Sequence, residues 1–243
     1  MIKDFTEDSI AIITARGGSR RIPGKNIKDF LGKPIIAYSI EAALNSGIFK
    51  TVMVSTDSAE IRSVAEKYGA EVPFLRSPAT SGDFATTADV LHEVISEYKN
   101  TGVKFRYACC LYPTAPFVTP EKLKKAMDIM LSGNFDCVLP VTPFSFPVFR
   151  GMSVKDGRAF YRWPEFSMRR SQDLETLYHD CGQFYMFRVK RFMETGELID
   201  DNTGAMPVPE TEVQDIDYDT DWDIAEMKYT LMKKRQSEKD QNP

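Results

Sequence analysis

Residues 9–26 read SIAIITARGGSRRIPGKN, and this stretch decides the fold. An apolar run of strand length comes first, and tandem glycines and several cations follow it directly. In α/β proteins, ligands bind beyond the carboxyl ends of the parallel strands. The loop that leaves this first strand is therefore the leading candidate for a binding site.

Apolar runs of strand length recur along the chain and alternate with segments of helical character. The strand-like runs are SIAIITA (9–15), TVMVST (51–56), RYACCLY (106–112) and DCVLPV (136–141). The helical segments are 58–68, 86–99, 120–132 and a first helix that is expected to begin at Pro34 and to end at Gly47. This alternation predicts an α/β fold with a mostly parallel sheet that helices cover.

Residues 142–181 break the alternation, because they are rich in Pro, Phe, Arg and Gly and lack a helical period. They predict a small inserted lobe in a core made of residues 1–141 and 182–236. After the insertion we expect a strand in GQFYMFRV (182–189), a last helix from Thr220 to Lys234, and a polar tail, 237–243, that frays.

Composition narrows the class of protein. The chain has 243 residues, 42% of them hydrophobic, and a formal net charge of −4, which argues against nucleic acid as a partner. No apolar run approaches the roughly 20 residues that a membrane span needs. The start MIKDFTEDSI lacks the features of a signal peptide, so we expect a cytoplasmic protein without a membrane partner. The four cysteines have no CxxC spacing, and neither disulfides nor zinc are expected.

Charge is concentrated in two short segments. Between Arg16 and Lys28 there are five cations and no acid, whereas residues 210–223 hold seven acids and no Lys or Arg. Gly17 and Gly18 leave room for backbone N–H groups to approach an anion, and the neighbouring cations can neutralise phosphate oxygens. A basic and an acidic segment of this kind suit a metal-bound polyphosphate.

Asp215 and Asp217 are candidate metal ligands. In an extended segment, residues two apart project from the same face. Mg²⁺, or Mn²⁺ in its place, typically binds through one or two carboxylates together with substrate phosphates. Alternatively the acids serve the following helix, because Thr220 with Asp223 resembles a capping box and Asp221 favours the helix dipole. That alternative leaves Asp215 and Asp217 unexplained.

The loop also resembles the P-loop pattern GxxxxGK[ST], but it departs from this pattern in three details. Five residues separate Gly18 from Gly24 where a P-loop has four, Asn26 replaces the metal-binding hydroxyl, and Pro23 interrupts the loop. The first helix also starts too late to place Lys25 at a helical anion site. A P-loop phosphotransferase is therefore poorly supported.

Four segments together resemble the CMP-acylneuraminate synthetase family: ARGGSRRIPGKNIKDFLGKPIIAYSIEAALNSG (15–47), VSTDSAEIRSVAEKYGAEVPFLR (54–76), YPTAP (112–116) and DIDYDTDW (215–222). Within that family, YRWPEF (161–166), RRSQDLE (169–175) and YHDCGQFYMF (178–187) most closely resemble the pseudaminic acid cytidylyltransferase branch. The resemblance implies a three-layer αβα, Rossmann-like nucleotidyltransferase fold. It also implies transfer of CMP from CTP onto an acidic nine-carbon sugar, and a homodimer in which the inserted lobe reaches the neighbouring active site.

The resemblance assigns roles to individual residues. Arg16, Lys25 and Asp217 are expected to be catalytic, with Asp215 and Asp217 as metal ligands. The implied nucleotide-binding residues are Ala15, Arg16, Gly17, Gly18, Ser19, Lys25, Asn26, Arg76, Thr87 and Thr114. Two of these have structural alternatives, because Arg76 could be a surface cation and Thr87 could serve only the start of a helix.

The implied sugar-binding residues are Tyr112, Arg170, Gln172, Asp173, Gln183 and Tyr185. Tyr112 stands where the family often has a glutamine that reaches the sugar, and Thr114 is a candidate to replace part of that contact. Three alternatives stay open nearby: Tyr185 as core packing, His179 as a base, and Asp57 as the cap of the next helix.

The predicted reaction is attack by the anomeric hydroxyl of the sugar on the α-phosphorus of CTP, with release of pyrophosphate. Such transfer depends on positioning and charge neutralisation and requires no activated nucleophile, and the sequence names no general base. Pseudaminic acid is the first expectation for the sugar. N-acetylneuraminic, legionaminic and 3-deoxy-manno-octulosonic acid are alternatives with the same chemistry, and a non-catalytic nucleotide-binding module is a further alternative.

Overall fold

The computed structural model describes residues 6–241. Its strands are β1 Ser9–Thr14, β2 Asp29–Phe30, β3 Lys33–Pro34, β4 Thr51–Ser55, β5 Tyr107–Leu111, β6 Cys137–Pro143, β7 Met152–Lys155, β8 Arg158–Tyr161, β9 Tyr178–Asp180, β10 Phe184–Arg188 and β11 Thr203–Pro207. Its α-helices are α1 Ile35–Ser46, α2 Ala59–Lys67, α3 Pro78–Ser81, α4 Thr87–Asn100, α5 Pro120–Ser132, α6 Val189–Thr195 and α7 Asp219–Gln241. Within these residues, no helix combines the length and the apolar composition that crossing a membrane requires.

The main sheet has seven strands, six of them in the order β11-β6-β10-β5-β1-β4, and β9 pairs with β6 beside this path. β1 runs parallel to β4 and β5, and β11 runs parallel to β6. β10 lies antiparallel between β5 and β6. The predicted α/β fold with a mostly parallel sheet is therefore confirmed.

β1 shows why the fold has three layers. Its residues alternate between two hydrophobic cores, with Ala11 and Ile13 on one face of the sheet and Ile10 and Ile12 on the other. A strand that is covered by helices on both faces reads as a nearly continuous apolar run, and residues 10–13 of β1 are all apolar and buried. Helices α1, α2 and α5 contribute to the first core and α4 and α6 to the second.

The first helix begins at Ile35, one residue later than predicted. Pro34 has an extended ψ of 135° and pairs with Asp29 in the β2–β3 hairpin, so the hairpin holds it outside the helix. Gly47 ends the helix with a φ of 64°, a left-handed conformation that glycine adopts at little cost. The end of this helix was thus predicted correctly.

The last helix is longer than predicted, because α7 begins at Asp219 and continues to Gln241. The carboxylate of Asp221 accepts hydrogen bonds from the backbone amides of Asp217 (3.0 Å) and Tyr218 (2.8 Å) and so supports the early start. The predicted capping box of Thr220 and Asp223 is wrong for that reason. No Pro or Gly interrupts 219–241, so the helix extends over the described part of the tail that we expected to fray, whereas 242 and 243 lie outside the described residues.

The predicted insertion 142–181 is partly built into the sheet. β6 continues to Pro143, and β9 pairs antiparallel with this extension. The irregular part is residues 144–177, which carry the exposed β7–β8 hairpin and several short 3₁₀ turns. Gly182, with a φ of 59°, then bends the chain from β9 into β10. This bend brings residues of the insertion to the carboxyl end of β5.

Candidate active site

A cleft of about 600 Å³ opens at the carboxyl ends of β1 and β5. The loop after β1, residues 16–26, forms one side, and the segment 112–114 after β5 forms the floor. Gly182 and Tyr185 line the opposite side, and Asp215 lies at the edge. A second, more apolar groove of about 570 Å³ lies at the other end of β5, around Phe105 and Met193. It contains no predicted site residue, so we place the site in the polar cleft.

The loop after β1 is held in a fixed conformation. The Asn26 side chain is buried and donates to the carbonyl oxygen of Arg16 at 2.9 Å, which closes the loop. The backbone amide of Gly17 donates to the Asp57 carboxylate at 2.7 Å. A Cβ on Gly17 would lie 3.1 Å from the Cβ of Ser58, so a larger residue would force Ser58 to shift by a few tenths of an ångström.

Asp57 does not cap α2, contrary to one of the sequence alternatives. The cap is Ser58, whose hydroxyl accepts from the amide of Ile61. The carboxylate of Asp57 instead anchors the loop after β1 by accepting from the amide of Gly17. Among the other loop residues, Ala15 is buried and its amide donates to the carbonyl oxygen of Ser55 at 3.0 Å, while Ser19 lines the cleft.

Two cations of the loop after β1 contact the carboxylate of Asp217 beside the cleft. The guanidinium of Arg21 makes two contacts of 2.7 Å with the two carboxylate oxygens of Asp217. The ammonium of Lys25 lies 3.7 Å from the same carboxylate and donates to the carbonyl oxygen of Ile216 at 2.6 Å. Lys25 belongs to a short 3₁₀ turn, Lys25–Ile27, and α1 starts only at Ile35, so the P-loop geometry is absent here.

The aspartate segment, residues 213–217, belongs to no strand and no helix. Ile216 is 1% exposed and anchors it, whereas Asp215 is exposed and lines the cleft. The ammonium of Lys228 donates to the carbonyl oxygen of Val213 at 2.7 Å and fixes the beginning of the segment. Asp215 therefore lines the cleft from well-anchored backbone. Asp217 does not line the cleft but contacts Arg21 and Lys25, which do.

Gln183, a predicted sugar contact, is buried and does not line the cleft. Its amide nitrogen donates to the carbonyl oxygen of Glu212 at 2.7 Å, just before the aspartate segment. Its side-chain oxygen has no hydrogen-bond partner among the described residues. The Glu212 carboxylate pairs with Lys122 at 2.7 Å. Gln183 and Lys122 therefore both hold Glu212, the residue directly before the aspartate segment.

The donor set fits a magnesium ion that is shared with a substrate. Within residues 6–241, no three His, Cys, Asp or Glu side chains converge as a complete metal cage. Mg²⁺ commonly needs only one or two carboxylates when phosphates supply further ligands. Asp215 can provide one, and Asp217 can provide another once Arg21 and Lys25 release its carboxylate. The carboxylate of Asp221 is held by two backbone amides of its own chain segment.

Asp83 was missed by the sequence analysis. One of its carboxylate oxygens lies 3.1 Å from the guanidinium of Arg16, and the other pairs with Arg20. The carboxylate of Asp83 is thus paired with cations that we expect to bind phosphate. The segment around Asp83 reads as a loop, and no pattern in the sequence links it to Arg16, which lies 67 positions earlier.

Arg76 and Thr87 lie beside the cleft rather than in its lining. Arg76 is 8% exposed, and its guanidinium donates to the hydroxyl and carbonyl oxygens of Ser55 at 3.0 and 2.7 Å. Burial lowers the pKa of Arg76, and the charges of Asp57 and Glu93 oppose that effect. The alternative that Arg76 is a surface cation is therefore wrong. Thr87 is the first residue of α4.

Tyr112, Tyr185 and Thr114 line the cleft. The two tyrosine rings meet edge to face, with centroids 6.0 Å apart. Burial raises the pKa of Tyr112, and a hydrogen bond with Thr87 opposes this effect. Burial and a hydrogen bond to Asp180 raise the pKa of Tyr185 far above its ordinary value. Tyr185 therefore both packs in the core and presents its oxygen near the cleft.

The remaining predicted sugar contacts lie in the inserted lobe. Arg170 and Asp173 form a two-point ion pair with distances of 2.8 and 3.0 Å, and Gln172 is exposed beside them. None of the three lines the cleft of its own chain. His179 is exposed, packs against Phe144 and does not line the cleft, so the structure gives no support for its role as a base.

Comparison with known proteins agrees with this geometry. The model of a family described as cytidylyltransferase matches residues 10–223. A pseudaminic acid cytidylyltransferase of Campylobacter jejuni is 39% identical over 92% of this chain and 97% of its own length. A CMP-N,N'-diacetyllegionaminic acid synthase of Legionella pneumophila is 36% identical over 89% of this chain and 94% of its own length.

A solved structure of CMP:2-keto-3-deoxy-manno-octonic acid synthetase complexed with CTP resembles the chain with a TM-score of 0.67 at 18% identity. It covers 93% of this chain and 99% of that one. A 4-diphosphocytidyl-2C-methyl-D-erythritol synthase of Anaerococcus prevotii has a TM-score of 0.64 at 13% identity and covers 92% and 98%. At such low identity these structures show the fold alone, which is the Rossmann-like nucleotidyltransferase fold. Together with the match over most of the sequence, they lead to one conclusion: the chain belongs to the cytidylyltransferase family.

Proposed function

We propose that this enzyme transfers CMP from CTP to the anomeric hydroxyl of a nonulosonic acid, with pseudaminic acid as its substrate, and releases pyrophosphate. The observation that carries the proposal is the meeting of Arg21 and Lys25 with Asp217 at the rim of one cleft. The relatives support cytidylyl transfer, and the 39% identity to a pseudaminic acid cytidylyltransferase favours that sugar over legionaminic acid, whose synthase is 36% identical.

The residues of the cleft supply charge and position. Arg16, Arg20, Arg21 and Lys25 together neutralise the triphosphate. Nothing lies within 4 Å of the position of a Cβ on Gly18, so phosphate oxygens can approach the backbone there. Asp215 and Asp217 are the proposed ligands of Mg²⁺ or Mn²⁺, which when bound supplies positive charge to the attacked and leaving phosphates.

In this proposal, ion pairs of the cleft are exchanged when the nucleotide binds. Before CTP arrives, Asp83 pairs with Arg16 and Arg20, and Asp217 pairs with Arg21. The triphosphate carries more negative charge than either carboxylate, so it draws these cations away and leaves Asp217 free for the metal.

We also propose the cytoplasm as the place of action, because the four cysteines are free and buried thiols.

A substrate panel tests the proposed reaction. With CTP, Mg²⁺ and pseudaminic acid, we expect pyrophosphate release at a kcat/KM at least about tenfold above that for N-acetylneuraminic, legionaminic or 3-deoxy-manno-octulosonic acid, since one misplaced polar contact costs about 1.4 kcal/mol or more. Release of a nucleoside diphosphate would contradict it. Binding of CTP without turnover of any sugar would favour the non-catalytic alternative.

We propose a homodimer formed through the inserted lobe. Phe146 is 83% exposed and Met168 93% exposed, and an apolar groove lies between Phe144 and Trp163. Apolar side chains in such density commonly mark an interface. The dimer also explains why Arg170 and Asp173 lie outside the cleft of their own chain, because in a dimer they can reach the cleft of the partner.

Sedimentation velocity tests the dimer. We expect a species of twice the 27.6 kDa chain mass, and we expect Phe146→Asp to shift it toward the monomer and to lower turnover. Ile199→Asp is the matched control, because Ile199 is 52% exposed and lies outside the lobe. A monomeric wild type with full activity would contradict the proposal.

A further inference from the structure

One carboxylate outside the predicted site holds two residues of the cleft. Asp180 accepts a hydrogen bond from the Tyr185 hydroxyl through one oxygen. Its other oxygen accepts from the backbone amide of Gly182 at 2.8 Å. Gly182 and Tyr185 both line the sugar side of the cleft, so Asp180 controls the shape of that side.

The contact fixes the direction of the hydrogen bond. A tyrosine hydroxyl has a single proton to donate, and Tyr185 donates it to the carboxylate of Asp180. Toward the cleft the Tyr185 oxygen can therefore only accept. Asp180 itself is exposed, and both of its carboxylate oxygens are engaged, one by Tyr185 and the other by the amide of Gly182.

Tyr112 packs against Tyr185, and the two rings meet edge to face with centroids 6.0 Å apart. Because the proton of Tyr185 is committed to Asp180, a hydrogen bond between the two hydroxyls can only have Tyr112 as its donor. The side of the cleft that Tyr185 lines therefore receives lone pairs and no proton from the Tyr185 oxygen.

We infer that Asp180 is a positioning residue that makes Tyr185 a hydrogen-bond acceptor toward the cleft, so that the cleft selects a sugar presenting an acylamino N–H to it. An amide N–H is donor-only and gains from an acceptor-only partner, whereas a sugar hydroxyl can adapt to either. The inference rests on the proposed function, and it names the sugar feature that the site recognises.

A double-mutant cycle tests the inference with CTP and pseudaminic acid. Asp180→Asn and Tyr185→Phe are each expected to raise the KM for the sugar about tenfold, the factor that corresponds to about 1.4 kcal/mol of lost hydrogen bonding. The KM for CTP should change less than about twofold, and the double variant should be no worse than Tyr185→Phe alone. The side-chain amide introduced by Asp180→Asn retains an oxygen for the backbone amide of Gly182, so the bend should survive.

Tyr178→Phe is the matched control, because this tyrosine is 49% exposed and outside the cleft, and thermal melting checks that each variant folds. Multiplication of the two single effects in the double variant would overturn the inference, as would an unchanged sugar KM in Asp180→Asn. Absence of turnover in the wild type would instead mean that the proposed function fails. The two failures are therefore distinguishable.

Discussion

Replacement of Lys25 by alanine is expected to lower kcat/KM about 10²- to 10³-fold, the usual effect of removing one preorganised donor from a charged transition state. The ammonium is placed by the Ile216 carbonyl oxygen at 2.6 Å and by Asp217 at 3.7 Å, so it lies where the two charged sides of the cleft meet. Pyrophosphate release under saturating and limiting CTP measures the change.

Lys28→Ala is the control for Lys25. Lys28 belongs to the same basic segment, but it lies 3.1 Å from Asp219 and over the ring of Trp222, outside the cleft. We expect turnover within a few-fold of the wild type, because surface ion pairs contribute little. A thermal melt of Lys25→Ala close to that of the wild type shows that the fold survives. Wild-type rates in Lys25→Ala would contradict the assignment.

Asp217→Asn is expected to have two opposite effects. Turnover should fall about 10³-fold or more, because the variant loses a charged ligand of the proposed metal. Affinity for CTP in the presence of a chelator should rise, because Asp217 no longer competes with phosphate for Arg21 and Lys25. Pyrophosphate release measures the first effect and calorimetric titration with CTP and EDTA measures the second.

Asp219→Asn removes the same charge two residues further along, from a side chain that is 80% exposed and pairs with Lys28 outside the cleft. It should leave both measurements close to those of the wild type. If Asp217→Asn kept wild-type turnover, the assignment of Asp217 as a metal ligand would be wrong.

The fold could be predicted because its decisive signals are local. The run SIAIITA is apolar at nearly every position, and β1 is buried on both faces as such a run requires. Gly47 marked the end of α1 correctly, since its left-handed conformation is a property of the residue itself. Parallel strands bring their carboxyl ends to one edge of the sheet, so the place of the cleft also followed.

Contacts between distant segments could not be predicted in the same way. Three contacts depend on the tertiary structure and leave no periodic pattern in the sequence. They are the ion pair of Asp83 with Arg16, the hydrogen bond of Gln183 to Glu212 and the hydrogen bond of Tyr185 to Asp180. The start of α7 was misjudged because several acids near it could serve as the cap. Only the structure distinguishes Asp221, which receives the amides of Asp217 and Tyr218, from its neighbours.

We propose that Lys25 and its neighbouring cations share one metal-bound triphosphate with Asp215 and Asp217. A crystal structure with CTP and Mn²⁺, in which anomalous scattering locates the metal, tests it most directly. We predict a metal peak about 2.0–2.2 Å from carboxylate oxygens of Asp215 and Asp217, with the triphosphate in the loop 16–26. A metal or a triphosphate bound elsewhere on the protein would contradict the account.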